Sequence, residues 1–113
     1  MTIALTMTDP SGDVELIMVF GEVDRTFAPR LSADLHRALD RRPLVLVLDC
    51  SGVTNVGVAG LLVLDVAVAR AATLQVRLDL LYLEHSSMQV ALHSRGLVEA
   101  HPPFRTIALH GNE

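Results

Sequence analysis

The feature that most constrains the fold of this chain is the uninterrupted aliphatic run LVLVL at Leu44–Leu48. A strand with one face in water alternates apolar and polar residues, whereas an unbroken apolar run predicts a strand that is buried on both faces. Such strands occupy central positions, with parallel neighbours, in sheets that helices cover. The run therefore predicts the middle of an α/β sheet.

The N-terminal segment predicts a β-hairpin. Thr2–Thr8 alternates loosely, and Val14–Phe20 is rich in residues that favour strands. Between them, Asp9-Pro10-Ser11-Gly12 has Asp, Pro and Gly at the first, second and fourth positions of a type I turn. The two strands should therefore pair antiparallel.

Helical patterns flank the aliphatic run. Pro29 suits the first turn of a helix that carries apolar residues at helical spacing, and Pro43 ends it. After a predicted loop over Asp49–Gly57, a second helix extends to about Ala72. A strand is predicted over Leu74–Leu83.

A third helix begins at the capping box Ser86–Gln89, and Gly96 ends it in the left-handed conformation. Phe104–Leu109 predicts a last edge strand. The whole order predicts one α/β domain over residues 1–113, with a mixed four- to five-stranded sheet and three to four helices. Leu44–Leu48 and Leu74–Leu80 should run parallel, because a helix connects them.

Charge and composition exclude several functional classes. The net charge is −4 and every basic residue is an arginine, so the chain offers no basic patch for nucleic acid or anionic lipid. The single cysteine, Cys50, excludes an internal disulfide and fits a reducing compartment. No signal peptide is evident, and Asp65 and Arg70 interrupt the most apolar segment. We therefore expect a cytoplasmic protein that does not insert into membranes.

The polar residues suggest no catalytic or cofactor chemistry. The five histidines lack the close helical spacing of a metal site, and no acidic residue completes one. Ser86 and Ser87 are better explained as a helix cap than as nucleophiles. Cys50 is expected to be a small buried apolar residue. We therefore expect no enzyme and no cofactor.

Three segments resemble the STAS domain of bacterial anti-sigma factor antagonists. They are LVLDCSGVT at residues 46–54 continuing to Gly60-Leu61, GEVD at 21–24 followed by Ala28-Pro29, and SRGLVEA at 94–100. The resemblance covers nearly the whole chain in the same order. It implies a STAS-like fold and binding to a kinase-like anti-sigma factor, which frees a sigma factor for transcription.

The resemblance also places the family's phosphorylation switch. Typical members have Asp-Ser-Ser-Gly before the second helix, and the second serine is the phosphoacceptor. Here the stretch is Gly57-Val58-Ala59-Gly60, so Ala59 occupies the phosphoacceptor position. Alanine has no hydroxyl group, so phosphorylation at this position cannot switch binding off.

The expected partner-binding surface combines this stretch with the outward side of the second helix. If Leu61, Leu64, Val68 and Ala71 face the sheet, then Leu62, Val66 and Arg70 face away. Asp24 either contacts the partner or only caps backbone N–H groups in its turn. The expected partner-binding residues are Asp24, Thr54, Asn55, Gly57, Val58, Ala59, Gly60, Leu62 and Val66.

Two other functions stay open at this stage. The glycines at 57 and 60 precede a helix, where backbone N–H groups can bind a phosphate or nucleotide, although they also allow close packing. The domain could instead be an adaptor subunit of a larger complex. A homodimer is compatible with either function.

Overall fold

The computed structural model describes residues 1–97 and 104–111. Within these residues, five strands and three helices follow one another in the predicted order. The strands are β1 (Ile3–Thr8), β2 (Val14–Val23), β3 (Val45–Val56), β4 (Arg77–Leu83) and β5 (Phe104–Leu109). The helices are α1 (Ala28–Asp40), α2 (Val58–Leu74) and α3 (Ser87–Ser94).

The strands form one mixed sheet in the order β1-β2-β3-β4-β5. The hairpin β1–β2 is antiparallel, and the other three neighbouring pairs are parallel. Val45–Asp49 pairs with Arg77–Leu81 in parallel, and β3 lies at the centre of the sheet. The predicted hairpin, the parallel pairing and the mixed five-stranded α/β sheet are therefore confirmed.

All three helices cover the same face of the sheet. Each crossover moves one strand further in the same direction, and right-handed crossovers of that kind put successive helices on one side. Buried leucines of α1, α2 and α3 form one core cluster with every second residue of the strands, such as Ile17, Leu48 and Leu80. We call this side of the sheet the helix face and the opposite side the open face.

Burial corrects the prediction for the aliphatic run. Leu46 and Leu48 are completely buried on the helix face, but Val45 and Val47 point to the open face and are only half-buried. The prediction that this strand is buried on both faces is wrong for the isolated chain. No described helix covers the open face.

The predicted loop over Asp49–Gly57 is also wrong, because β3 continues to Val56. β2 likewise continues beyond Phe20 to Val23 and provides the hydrogen-bonding partner for this extension. Two register shifts fit the longer β3 against β2, one of them at Thr54. Such bulges accommodate extra residues without ending a strand.

The helix ends agree closely with the sequence. Pro29 lies in the first turn of α1, and the Ser86 hydroxyl accepts a hydrogen bond from the Gln89 N–H at 3.3 Å. The Gln89 side chain accepts from the N–H of His85 rather than from that of Ser86. Leu74 belongs to α2 and not to the following strand. Gly96 has the predicted left-handed conformation, and residues 98–100 of the resemblance lie outside the described residues.

Candidate partner-binding site

The site is built where β2 and β3 end and α2 begins. The N–H of Gly57 donates to the carbonyl of Val23 at 2.9 Å, so the helix starts directly beside the end of β2. A Cβ atom at Gly60 would lie 2.6 Å from Cγ1 of Val23, closer than two carbon atoms can approach. Gly60 therefore allows the close packing that fixes the position of the helix start. The same atom at Gly57 would meet only the Val23 carbonyl oxygen at 3.9 Å, an ordinary contact.

Asp24 follows Val23 and caps the turn over residues 25–27 that leads into α1. Its Oδ1 atom accepts hydrogen bonds from the N–H groups of Thr26 and Phe27, each at 3.0 Å. Its carbonyl oxygen accepts a third, from the N–H of Ala28 at 2.9 Å. The structure thus supports the capping role. Because Asp24 is also exposed beside the start of α2, contact with a partner stays a prediction.

An exposed aliphatic stripe runs along α2. Val58, Leu62 and Val66 are spaced four residues apart, which places them on one side of a helix. Their exposed fractions are 69%, 50% and 56%. The predicted outward direction of Leu62 and Val66 therefore agrees with the structure, and Val58 extends the stripe to the helix start. We call these three residues the α2 stripe.

A cleft of about 460 Å³ opens between the start of α2 and α3. The end of β3 and the first turn of α2 form one wall, which includes the predicted residues Asn55, Gly57 and Val58. The other wall is one side of α3. The lining residues are Asn55, Val56, Gly57, Val58, Leu61, Ser87, Val90, Ala91 and Ser94.

Sequence reasoning missed the α3 wall of this cleft. Ser87, Val90, Ala91 and Ser94 have the spacing of one helix face, and Val90 is an exposed valine on it. The spacing was visible in the sequence, but nothing there indicated that this face meets the start of α2. The hydroxyl of Ser87 donates to Oδ1 of Asn55 at 3.2 Å and joins the two walls.

The remaining predicted residues surround the cleft without lining it. Thr54 is exposed at the bulge of β3, Ala59 is half-buried in the first turn of α2, and Gly60 is buried. Arg70, predicted to face away from the sheet like Leu62 and Val66, does not extend the exposed stripe, because its guanidinium reaches α1. It donates to the carbonyl oxygen of His36 at 3.2 Å and pairs with Asp40.

The second helix is also joined to α3. The carboxylate of Asp65 pairs with the guanidinium of Arg95, the residue that follows α3. Together with the Arg70 contacts on the other side, this pair holds α2 between its two neighbouring helices. The α2 stripe is thus presented on a helix anchored along its length.

The chemistry of the cleft favours apolar packing. None of its lining residues is cationic, so the helix start has no side-chain charge to help bind a phosphate.

Burial raises the pKa of Cys50 to about 12, with a smaller contribution from Asp49, so the thiol stays protonated and unreactive. Among the described residues, no group of histidine, cysteine and acidic side chains could hold a metal ion. In residues 1–97 and 104–111, no helix has the length and apolar character needed to cross a membrane.

Comparisons with known proteins agree with this fold. The family model described as Mlab, STAS domain, matches residues 6–98. An anti-sigma factor antagonist from Mycobacterium paratuberculosis superposes with a TM-score of 0.78 at 22% identity, over 93% of this chain and 86% of that one. The anti-sigma factor antagonist SpoIIAA in its unphosphorylated form gives 0.73 at 13% identity, over 98% and 90% of the two chains.

A third structure is more distant. The STAS domain of an anti-sigma factor antagonist from Rhodobacter sphaeroides gives a TM-score of 0.58 at 14% identity, over 78% of this chain and 88% of that one. At these identities the likeness establishes a shared fold. No curated protein is similar enough to count as a match.

Proposed function

Because this chain belongs to the STAS domain family, we propose that it is a regulatory protein-binding domain that acts as an anti-sigma factor antagonist. In this proposal it binds a kinase-like anti-sigma factor in the cytoplasm and so releases a sigma factor. It is a single domain and catalyses no reaction. The observation that carries the proposal is the α2 stripe, which lies exposed beside an apolar cleft on a rigidly held helix.

The cleft and the stripe suit a protein partner. A few apolar side chains at the centre of an interface commonly supply most of the binding energy. Val58 borders the cleft and also begins the stripe, so one partner surface can fill the cleft and cover Leu62 and Val66. Asp24, Thr54 and Asn55 provide a polar rim around this apolar centre.

Ala59 determines how this binding can be regulated. The position corresponds to the phosphoacceptor serine of typical family members, and alanine offers no hydroxyl group. A phosphate would add a charge of about −2 beside the apolar cleft, where it would disrupt binding. Without that acceptor, the domain stays competent to bind regardless of kinase activity at this position.

The missing acceptor also favours a second candidate function. A domain that cannot be switched off at the site is suited to permanent assembly, as an adaptor subunit of a larger complex. The same surface would then hold a neighbouring subunit. The identity of the bound protein distinguishes the two functions.

Affinity capture from a lysate of the native host tests the proposal. The wild-type protein and the variants Leu62→Asp and Leu5→Asp serve as baits, since both leucines are exposed but lie on different faces of the molecule. An anti-sigma factor retained by wild type and Leu5→Asp but lost from Leu62→Asp supports the proposal. If the proteins retained by wild type and Leu5→Asp but lost from Leu62→Asp are subunits of a stable assembly, the adaptor function is supported. Retention of the same proteins by all three baits contradicts both proposed functions.

A further inference from the structure

The open face of the sheet is an extensive apolar surface that no described helix covers. On β1 and β2, Ile3, Leu5, Met7 and Phe20 expose 43%, 49%, 58% and 43% of their surface. The other strands continue the surface with half-buried aliphatic side chains. Those that point to this face are Val45, Val47, Leu81, Leu83, Ile107 and Leu109.

The polarity of β1 shows that this exposure is not incidental. In an edge strand of a free sheet, apolar residues normally point inward and polar residues outward. Here Ile3, Leu5 and Met7 point to the open face, whereas Ala4, Thr6 and Thr8 point to the helix face, where only Ala4 is buried. A shift of one residue in register would reverse this pattern. The observed pattern places the apolar side of β1 outward.

The parallel part of the sheet also indicates that the open face is covered by a second layer. Parallel strands are almost always covered on both faces. Three of the four strand pairs here are parallel, yet the described helices cover only one face. The unbroken LVLVL run likewise indicates two covered faces for β3. The sequence and the topology both require a second layer that the described residues do not provide.

The charges on the β3 to β5 part of this face are balanced, and Glu22, which alternates with Phe20 at the end of β2, adds one negative charge. Asp49, Arg77, Asp79 and Arg105 lie on β3 to β5 and cancel, although the whole chain carries −4. Asp79 is buried between the two arginines, whose Nε atoms lie 2.9 Å (Arg105) and 3.2 Å (Arg77) from its Oδ1 atom. A face with so small a net charge neither strongly repels its own copy nor requires a partner of opposite charge.

We infer that the open face binds the open face of a second copy of this chain, so that the protein is a homodimer with two sheets packed face to face. Two twisted sheets pack in this way about 10 Å apart, with their strands about 30° from parallel. A two-fold axis brings the same patch of each copy together, as is usual in symmetric dimers. The two open faces would then bury each other's apolar side chains.

The size of the face reaches the lower limit for a biological interface. Five strands spaced about 4.8 Å apart, each about six residues long, give a footprint of about 24 Å by about 20 Å. Two such footprints remove about 1,000 Å² from water, which is the least area expected of a biological interface. The helix layer, with the α2 stripe, stays free on the outside of this dimer.

Sedimentation analysis of the purified protein over a range of micromolar concentrations tests the inference. We expect the wild type to sediment as a dimer. We expect Leu5→Asp to weaken self-association by more than tenfold, because it buries a charge in the apolar contact. Leu5→Thr, which favours a strand without adding charge, serves as a milder variant if Leu5→Asp fails to fold. Circular dichroism confirms folding in each case.

Leu62→Asp is the matched control, since it places the same charge at an equally exposed leucine on the helix layer. It should leave the dimer intact while it weakens anti-sigma factor binding by more than tenfold, so the two proposals can fail separately. A wild type that stays monomeric at all concentrations would overturn the inference. Folded Leu5 variants that dimerise as tightly as wild type would overturn it as well.

Discussion

Leu5 and Leu62 expose nearly the same fraction of their surface, 49% and 50%, on opposite sides of the molecule. Leu5 lies on the open face of the sheet, and Leu62 lies in the α2 stripe on the helix layer. Because the core separates them, a charge at one position should not disturb the surface at the other. Two proposed surfaces can therefore be examined with one pair of matched substitutions.

Gly60→Ala should destabilise the fold. The added methyl group would lie 2.6 Å from Cγ1 of Val23 and 3.1 Å from the Val23 carbonyl oxygen, so the start of α2 must move away. Overpacking of this kind costs about 1–3 kcal/mol of the free energy of unfolding. Urea unfolding followed by circular dichroism measures the loss. Gly57→Ala is the control, since that methyl group has room and should cost less; equal losses would contradict the close packing.

Asp24→Ala should destabilise the protein by about 1 kcal/mol, because the N–H groups of Thr26 and Phe27 lose the carboxylate, and Phe27 keeps only the backbone carbonyl oxygen of residue 24 at 3.2 Å. Asp24→Asn keeps an acceptor oxygen and should restore most of the stability. Urea unfolding distinguishes the two variants. If Asp24→Asn is fully stable but binds the anti-sigma factor more weakly, the carboxylate also contacts the partner. Equal destabilisation by both substitutions would contradict the capping role.

Asp79 should contribute to stability in a pH-dependent way. Burial raises the pKa of this carboxyl, but hydrogen bonds from Arg105 and Arg77 outweigh that effect and hold the pKa below its ordinary value of 3.8. A lowered pKa means that the contribution is complete above the unfolded value and is lost as the pH falls through the folded value. The difference in unfolding free energy between wild type and Asp79→Asn should therefore be largest near neutral pH and shrink below about pH 4. A difference that grows in acid would contradict this account.

Ala59→Ser should create a phosphorylation site. Incubated with the captured anti-sigma factor and ATP, the variant is expected to gain one phosphate at residue 59, whereas the wild type gains none in this segment. Mass spectrometry of the digested protein locates the phosphate. Phosphate on Ser51 or Thr54 of the wild type would show that a neighbouring hydroxyl serves as the acceptor. The proposal that phosphorylation of this segment cannot switch binding would then be wrong.

The order and pairing of the elements could be predicted because the signals are local. The turn at Asp9–Gly12, the cap at Ser86 and the aliphatic run of β3 each specify one element. The extension of β3 could not be predicted, since Asp49, Ser51 and Gly52 have the composition of a loop. They remain in a strand because β2 pairs with them across two register shifts, and this pairing depends on the tertiary structure.

The candidate site could be predicted only in part for the same reason. Helical spacing identified the outward side of α2, which depends on one element alone. The contribution of α3 depends on how α3 packs beside the start of α2. The sequence around Ser87 and Val90 does not indicate that contact. The open face was missed because an unbroken aliphatic run cannot show whether its second face is covered within the chain or by another molecule.

Titration calorimetry with the purified anti-sigma factor tests the central claim most directly. The account predicts that Leu62→Asp weakens binding by more than tenfold, since the loss of a central contact commonly costs about 2 kcal/mol or more. Ala59→Asp, which places a negative charge at the phosphoacceptor position, should weaken it as well, whereas Leu5→Asp should bind like wild type. Circular dichroism confirms that each variant is folded. Folded Leu62→Asp and Ala59→Asp proteins that both bind as tightly as wild type would contradict the claim that the partner occupies this surface.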